Sequence, residues 1–192
     1  PNHPQAFMML HTGEFRFTRP CVGSWVLYGL GTENQNLPGF VTISPPTNLG
    51  GAQNYSSGFL PAIYQGTAIG REGQKVADAG IGNITSRHLP GGLQREQLDL
   101  VQSLNRDLLD RKRVNAELEG VIESYELAFR MQAALPDVLD LKEETQATLD
   151  AYGIGSGATD NFGRQCLMAR RLAEAGVRYI EVSHGNWDQH NN

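Results

Sequence analysis

Apolar residues recur at helical spacing through the middle of the chain. Between Gln94 and Lys112, Leu98, Val101, Leu104 and Leu108 fall on one face of a predicted helix. Between Asn115 and Gln132, Leu118, Val121, Ile122, Tyr125 and Phe129 form a second stripe, and Asn115 is placed to cap its first turn. The stretch LPDVLDLKEET carries Pro136 and reads as a break followed by short turns. A last helix runs roughly from Asp160 to Ala175. Its expected apolar face is Phe162, Cys166, Ala169 and Ala173, and Gly176 stands where a left-handed residue ends a helix.

The pattern changes on both sides of this helical stretch. Residues 1–92 are rich in Gly, Pro, Asn and Ser, and LYGLGTENQNLPGF, SPPTNLGGAQNYSSGF and GIGNITSRHLPGG are loop chemistry. GFVTIS is the clearest strand, a β-branched run between Pro-Gly and Pro-Pro. SWVLYGLG reads as a short helix or a strand. QAFMML reads as a short buried helix ending in a Thr-Gly turn, with His3, His11 and also the loop residue His88 exposed.

Past Gly176, Val177, Tyr179 and Ile180–Val182 predict a largely buried strand. A helix feeding such a strand is half of an α/β unit, and in open α/β sheets ligands collect beyond the carboxyl ends of the strands. The polar run SHGNWDQH occupies that place.

Composition narrows the picture. The 192 residues are enough for one domain with a substantial core, and the net charge is −5. With no Lys/Arg-rich run, neither nucleic acid nor an anionic membrane surface is an expected partner. No apolar stretch approaches the roughly 18–20 residues of a membrane span. Cys21 and Cys166 lie too far apart to define a disulfide scaffold, though they could pair, and Cys166 reads as a buried free thiol. The chain starts at Pro1 and its last residues interrupt a motif, so we expect a piece of a longer protein.

Asp188 and His190 offer a carboxylate oxygen and an imidazole nitrogen in one short loop. Such a mixed pair suits Zn, Mn or Fe better than an all-oxygen Ca site. His184 is a candidate third ligand or a group behind the ligands, and Trp187 either walls the site or belongs to the core. The competing reading is a solvated turn in which Asp and His serve as caps. Two ligands do not make a site, because a metal takes three or four from the protein. No G-x-S-x-G elbow, P-loop or strand-linked G-x-G-x-x-G is present.

Several blocks occur in an order that resembles the sulfatase-like domain-of-unknown-function 1501 family. They are HTGEFRFTRPCVGSWVLYGLGTENQNLPGFVTI, GGAQNYSSGFLPAIYQGT, ESYELAFRMQ, FGRQCLMARRLAEAGVRYIEV and HGNWDQHNN, and they span essentially the whole chain. The resemblance implies membership of the bacterial alkaline-phosphatase and sulfatase superfamily. It further implies a partial alkaline-phosphatase-like doubly wound α/β sheet, with long Gly/Pro-rich loops and a helical middle. A divalent metal (Zn, Mn or Ca) would serve hydrolysis of sulfate or phosphate esters on a small molecule or polysaccharide. Asp188 and His190 match the superfamily's metal loop, although Asp-x-His stands here where Asp-x-x-x-His is common. Intact relatives carry further metal and nucleophile segments before and after this region. The resemblance therefore implies one incomplete domain, inactive as given, from a periplasmic or otherwise extracytoplasmic parent. Within it, 1–92 form the substrate side, 93–176 the helical segment, and 177–192 the core strand and the start of the metal loop.

Two other readings compete. Trp25, Tyr28, Tyr55 and Tyr64 could stack on sugars, making the chain a non-catalytic glycan-binding module. The helices at 94–132 could serve a structural role as an interaction surface. Because a buried strand needs neighbours on both sides, marginal stability is expected of the isolated chain.

Overall fold

The computed structural model describes residues 2–79, 90–112 and 115–185. Three short parallel strands form its centre: β1 (Phe40–Ile43), β2 (Thr67–Ile69) and β3 (Tyr179–Val182), in the order β2-β1-β3. The register pairs Val41 with Thr67 and Ile180, and Ile43 with Ile69 and Val182. The α/β class expected from the helix–strand succession is present, with a parallel sheet.

Strand alternation explains how the sheet is covered. Val41, Ile43 and Ile69 turn to one face and are sealed by Met131, Leu135, Met168 and Leu172 from two helices, α4 (Ala116–Leu139) and α6 (Asp160–Glu174). Phe40 turns to the other face and packs with Cys21 and Leu27 of the segment around α2 (Val22–Leu30). The backbones approach so closely that a Cβ on Gly23 of α2 would lie 2.6 Å from the Phe40 ring. GFVTIS is thus the central strand, and SWVLYGLG resolves as a helix.

β3 departs from expectation. All four of its residues are half-buried, because it pairs with β1 alone among the described residues and stands at the sheet's edge. The turn into it follows the sequence. Gly176 adopts φ +90, its N–H donates to Ala173 O, and the Val177 N–H donates to Leu172 O. This is the double closure of a left-handed helix stop, with Val177 and Leu172 in apolar contact.

The helices correct several other expectations. α1 (His3–Thr12) forms, capped by Asn2 and ended by Gly13 at φ 71, but none of its residues is buried. His11 is not exposed: its Nδ1 lies 3.3 Å from Glu181 Oε2 on β3. α4 starts where Asn115 accepts from the Leu118 N–H, yet it runs through Pro136 to Leu139 instead of breaking. Its carboxyl end is held by Arg171, which donates to the carbonyls of Val138 and Asp137 and to Glu144 Oε1. The polar turn after it leads to α5 (Gln146–Ala151).

On α6 the buried face is Gly163, Gln165, Leu167, Met168 and Leu172, whereas Ala173 is exposed and Cys166 only half-buried. Both cysteines are free thiols. The helix α3 (Gly91–Lys112) is turned away from its predicted stripe: Leu104 is 61 % exposed, and Gln102 is the residue it buries. Gln102 donates to Ile122 O, and Arg95 bridges Asp99 and Glu126, so polar contacts join α3 to α4.

Candidate functional site at the carboxyl edge of the sheet

The three strands end together. The Ser44 N–H donates to Ile69 O and the Ser183 N–H donates to Ile43 O, so the loops leaving β1, β2 and β3 diverge from one edge. Ser44 is the non-glycine residue with positive φ among those described, at 54°. A left-handed serine at the tip of a central parallel strand is a costly conformation, and such strain gathers at working sites. Pro45 and Pro46 follow it and stiffen the exit.

Gln165 reaches this edge from α6. Its Nε2 donates to Ser44 Oγ across 3.1 Å, both residues are buried, and its Oε1 has no hydrogen-bond partner among the described residues. On the same helix, Gly163 packs against the turn after α5, where a Cβ would lie 2.1 Å from Tyr152 O. Nearby, the Val76 N–H donates to Asn161 Oδ1, tying the loop after β2 to the first turn of α6.

A cavity of about 430 Å³ opens over this edge. Ser44, Ser183, Glu72, His3 and His184 supply its polar groups, and Phe7 with Leu49 forms an apolar wall. It therefore gathers hydroxyl, carboxylate and imidazole groups in one recess, the usual make-up of a small-molecule site. The His184 ring rests on Phe162 at 4.7 Å between centroids. Glu72 and His184 present the oxygen and nitrogen donors that suit Zn or Mn, but no set of three metal-binding side chains occurs among the described residues.

Of the residues singled out by sequence, His184 is placed at this cavity. Asp188, His190, Trp187 and His88 lie outside the described residues. Sequence reasoning missed Ser44, Glu72 and Gln165. The signal for Ser44 was its position between a strand and Pro-Pro. Gln165 was a polar residue hidden within an apolar helix face.

The family model described as protein of unknown function (DUF1501) matches residues 1–192. The chain belongs to the DUF1501 family. No curated protein and no solved structure matches it.

Proposed function

We propose that this chain contributes the carboxyl-edge part of a metal-dependent hydrolase acting on sulfate or phosphate esters, with a sheet of the alkaline-phosphatase kind. One observation carries the reading: the cavity beyond the three parallel strands is lined by Ser183, His184 and Gly185, and the Asn-Trp-Asp-Gln-His run follows Gly185 directly in sequence. Asp188 and His190 are the proposed ligands, with His184 and Glu72 as candidates to complete the set. A bound divalent metal would supply charge stabilisation as the ester bond breaks.

The chain's own groups have separate tasks. Phe7, Pro46 and Leu49 limit water on one side of the recess, which strengthens polar contacts inside it. The Ser44 hydroxyl, held by the Gln165 amide, is fixed as a hydrogen-bonding group for an ester oxygen. The family resemblance supports an extracytoplasmic setting.

The test is hydrolysis of aryl sulfate and aryl phosphate by the full-length protein, with and without chelator. Activity with one ester, lost on chelation and in Asp188→Ala and His190→Ala, is expected. No hydrolysis of either ester with any of several divalent metals overturns the reading.

A further inference from the structure

At the opposite end of the sheet a second surface stands out. Phe59, Trp25 and Tyr28 are 62 %, 45 % and 54 % exposed, yet they touch one another and Tyr64 in an unbroken row. Ring centroids are 5.8 Å apart for Phe59–Trp25, 5.9 Å for Trp25–Tyr28 and 5.4 Å for Tyr28–Tyr64. Exposed aromatic side chains that gather in a row, rather than scatter singly, mark a binding surface.

The row ends in a recess. Tyr64 also lines a cavity of about 400 Å³ with Thr32, Asn34, Gln35, Glu123 and Arg130. With Glu126 also in its lining, the recess sets hydroxyl, amide, two carboxylates and one guanidinium beside the aromatic strip.

We propose that this strip and recess bind a glycan chain. Sugar rings pair an apolar face of C–H groups with a rim of hydroxyls. The strip offers π-faces to the first, and the recess offers donors and acceptors to the second. Successive rings stand at 71°, 79° and 85° to each other, so the strip is corrugated. A flat crystalline polysaccharide needs coplanar rings; a corrugated strip suits a single soluble chain that turns as it runs. A hydrophobic protein partner would not require the hydroxyl, amide and charged groups of the recess.

Tyr55 does not belong to the strip. It packs inward toward Phe40 and Cys21, and burial pushes its phenol up from the ordinary value. The strip lies at the amino end of the strands, where Phe40 and Tyr179 begin β1 and β3, whereas Ser44 and His184 lie at the carboxyl end. Binding here is independent of ester hydrolysis there.

The experiment is affinity electrophoresis of the full-length protein in gels containing hydroxyethylcellulose, glucomannan, agarose galactan or carrageenan, with chelator present. Retardation by at least one of these is expected, at least tenfold weaker for Trp25→Ala and for the Trp25→Ala, Phe59→Ala pair. Trp25→Phe should keep most of the binding. The thermal melt of Trp25→Phe should stay close to wild type, and those of the alanine variants should fall only by the loss of the ring contacts, leaving the proteins folded at assay temperature. No retardation by any of the four, or retardation unchanged in the double variant, overturns the proposal. So does sedimentation showing a dimer that Trp25→Ala dissociates, without glycan retention. Loss of retardation with aryl ester hydrolysis intact separates this site from the carboxyl-edge cavity.

Discussion

Gln165 on α6 donates its amide to the Ser44 hydroxyl at the end of β1, 3.1 Å away, and both residues are buried. This bond fixes the floor of the carboxyl-edge cavity, since Ser44 lines it and α6 backs it. It also accompanies the unusual backbone of Ser44, so strain and hydrogen bonding can be separated by substitution.

Ser44→Gly removes the left-handed penalty, about 1–2 kcal/mol, and leaves the buried Gln165 amide without its acceptor, at about 1–3 kcal/mol. The two nearly cancel, so its urea midpoint should stay close to wild type. Ser44→Val loses the same bond and puts a β-branched residue at φ 54, for a net cost of about 3 kcal/mol. Equal midpoints for the Gly and Val variants would show that residue 44 is not left-handed in solution.

The Arg95 guanidinium, together with the Gln102 amide, holds the Glu126 carboxyl below its ordinary value of 4.5. A depressed folded pKa means the stabilisation is fully present above 4.5 and is lost as pH falls through the lower folded value. The gap in urea midpoint between wild type and Glu126→Gln should therefore be constant near neutral pH and close on acidification below 4.5. A gap that widens on acidification would reverse the sign and remove Glu126 from the α3–α4 contact.

The orientation of α3 gives an inverted expectation for core and surface. Leu100→Gln and Leu104→Gln act on exposed side chains and should shift stability by no more than about 0.5 kcal/mol. Gln102→Ala strips a donor from the half-buried Ile122 carbonyl and should cost about 1 kcal/mol. Equilibrium denaturation of the three variants decides which face of α3 is inside.

These cases show what could be read from the chain alone. β1 was legible because a β-branched run lay between turn dipeptides, and the start of α4 because Asn115 is a strong cap. The stop at Gly176 was legible for a similar local reason. The buried face of α3 was not, since periodicity shows which residues are alike but not which are covered. α3 docks through Gln102 and Arg95, polar groups whose acceptors lie on another helix. At the cavity, His184 was anticipated from its place after a strand. Ser44 and Gln165 were not, because a contact across 121 positions and a positive φ leave no local trace.

His184 offers a test of the metal reading that does not depend on turnover. Its ring packs on Phe162, so substitution to alanine removes packing as well as nitrogen donors. His184→Phe keeps an aromatic ring against Phe162 while deleting the donors alone. If His184 ligates the metal or supports its ligands, calorimetric titration of the full-length protein with Zn or Mn should show affinity about 10–100-fold weaker in His184→Phe. The thermal melt of that variant without metal should fall less than that of His184→Ala, which should lower both. Metal affinity equal to wild type in His184→Phe would leave the histidine a packing residue and move the search for further ligands to Glu72 and its neighbours in the cavity.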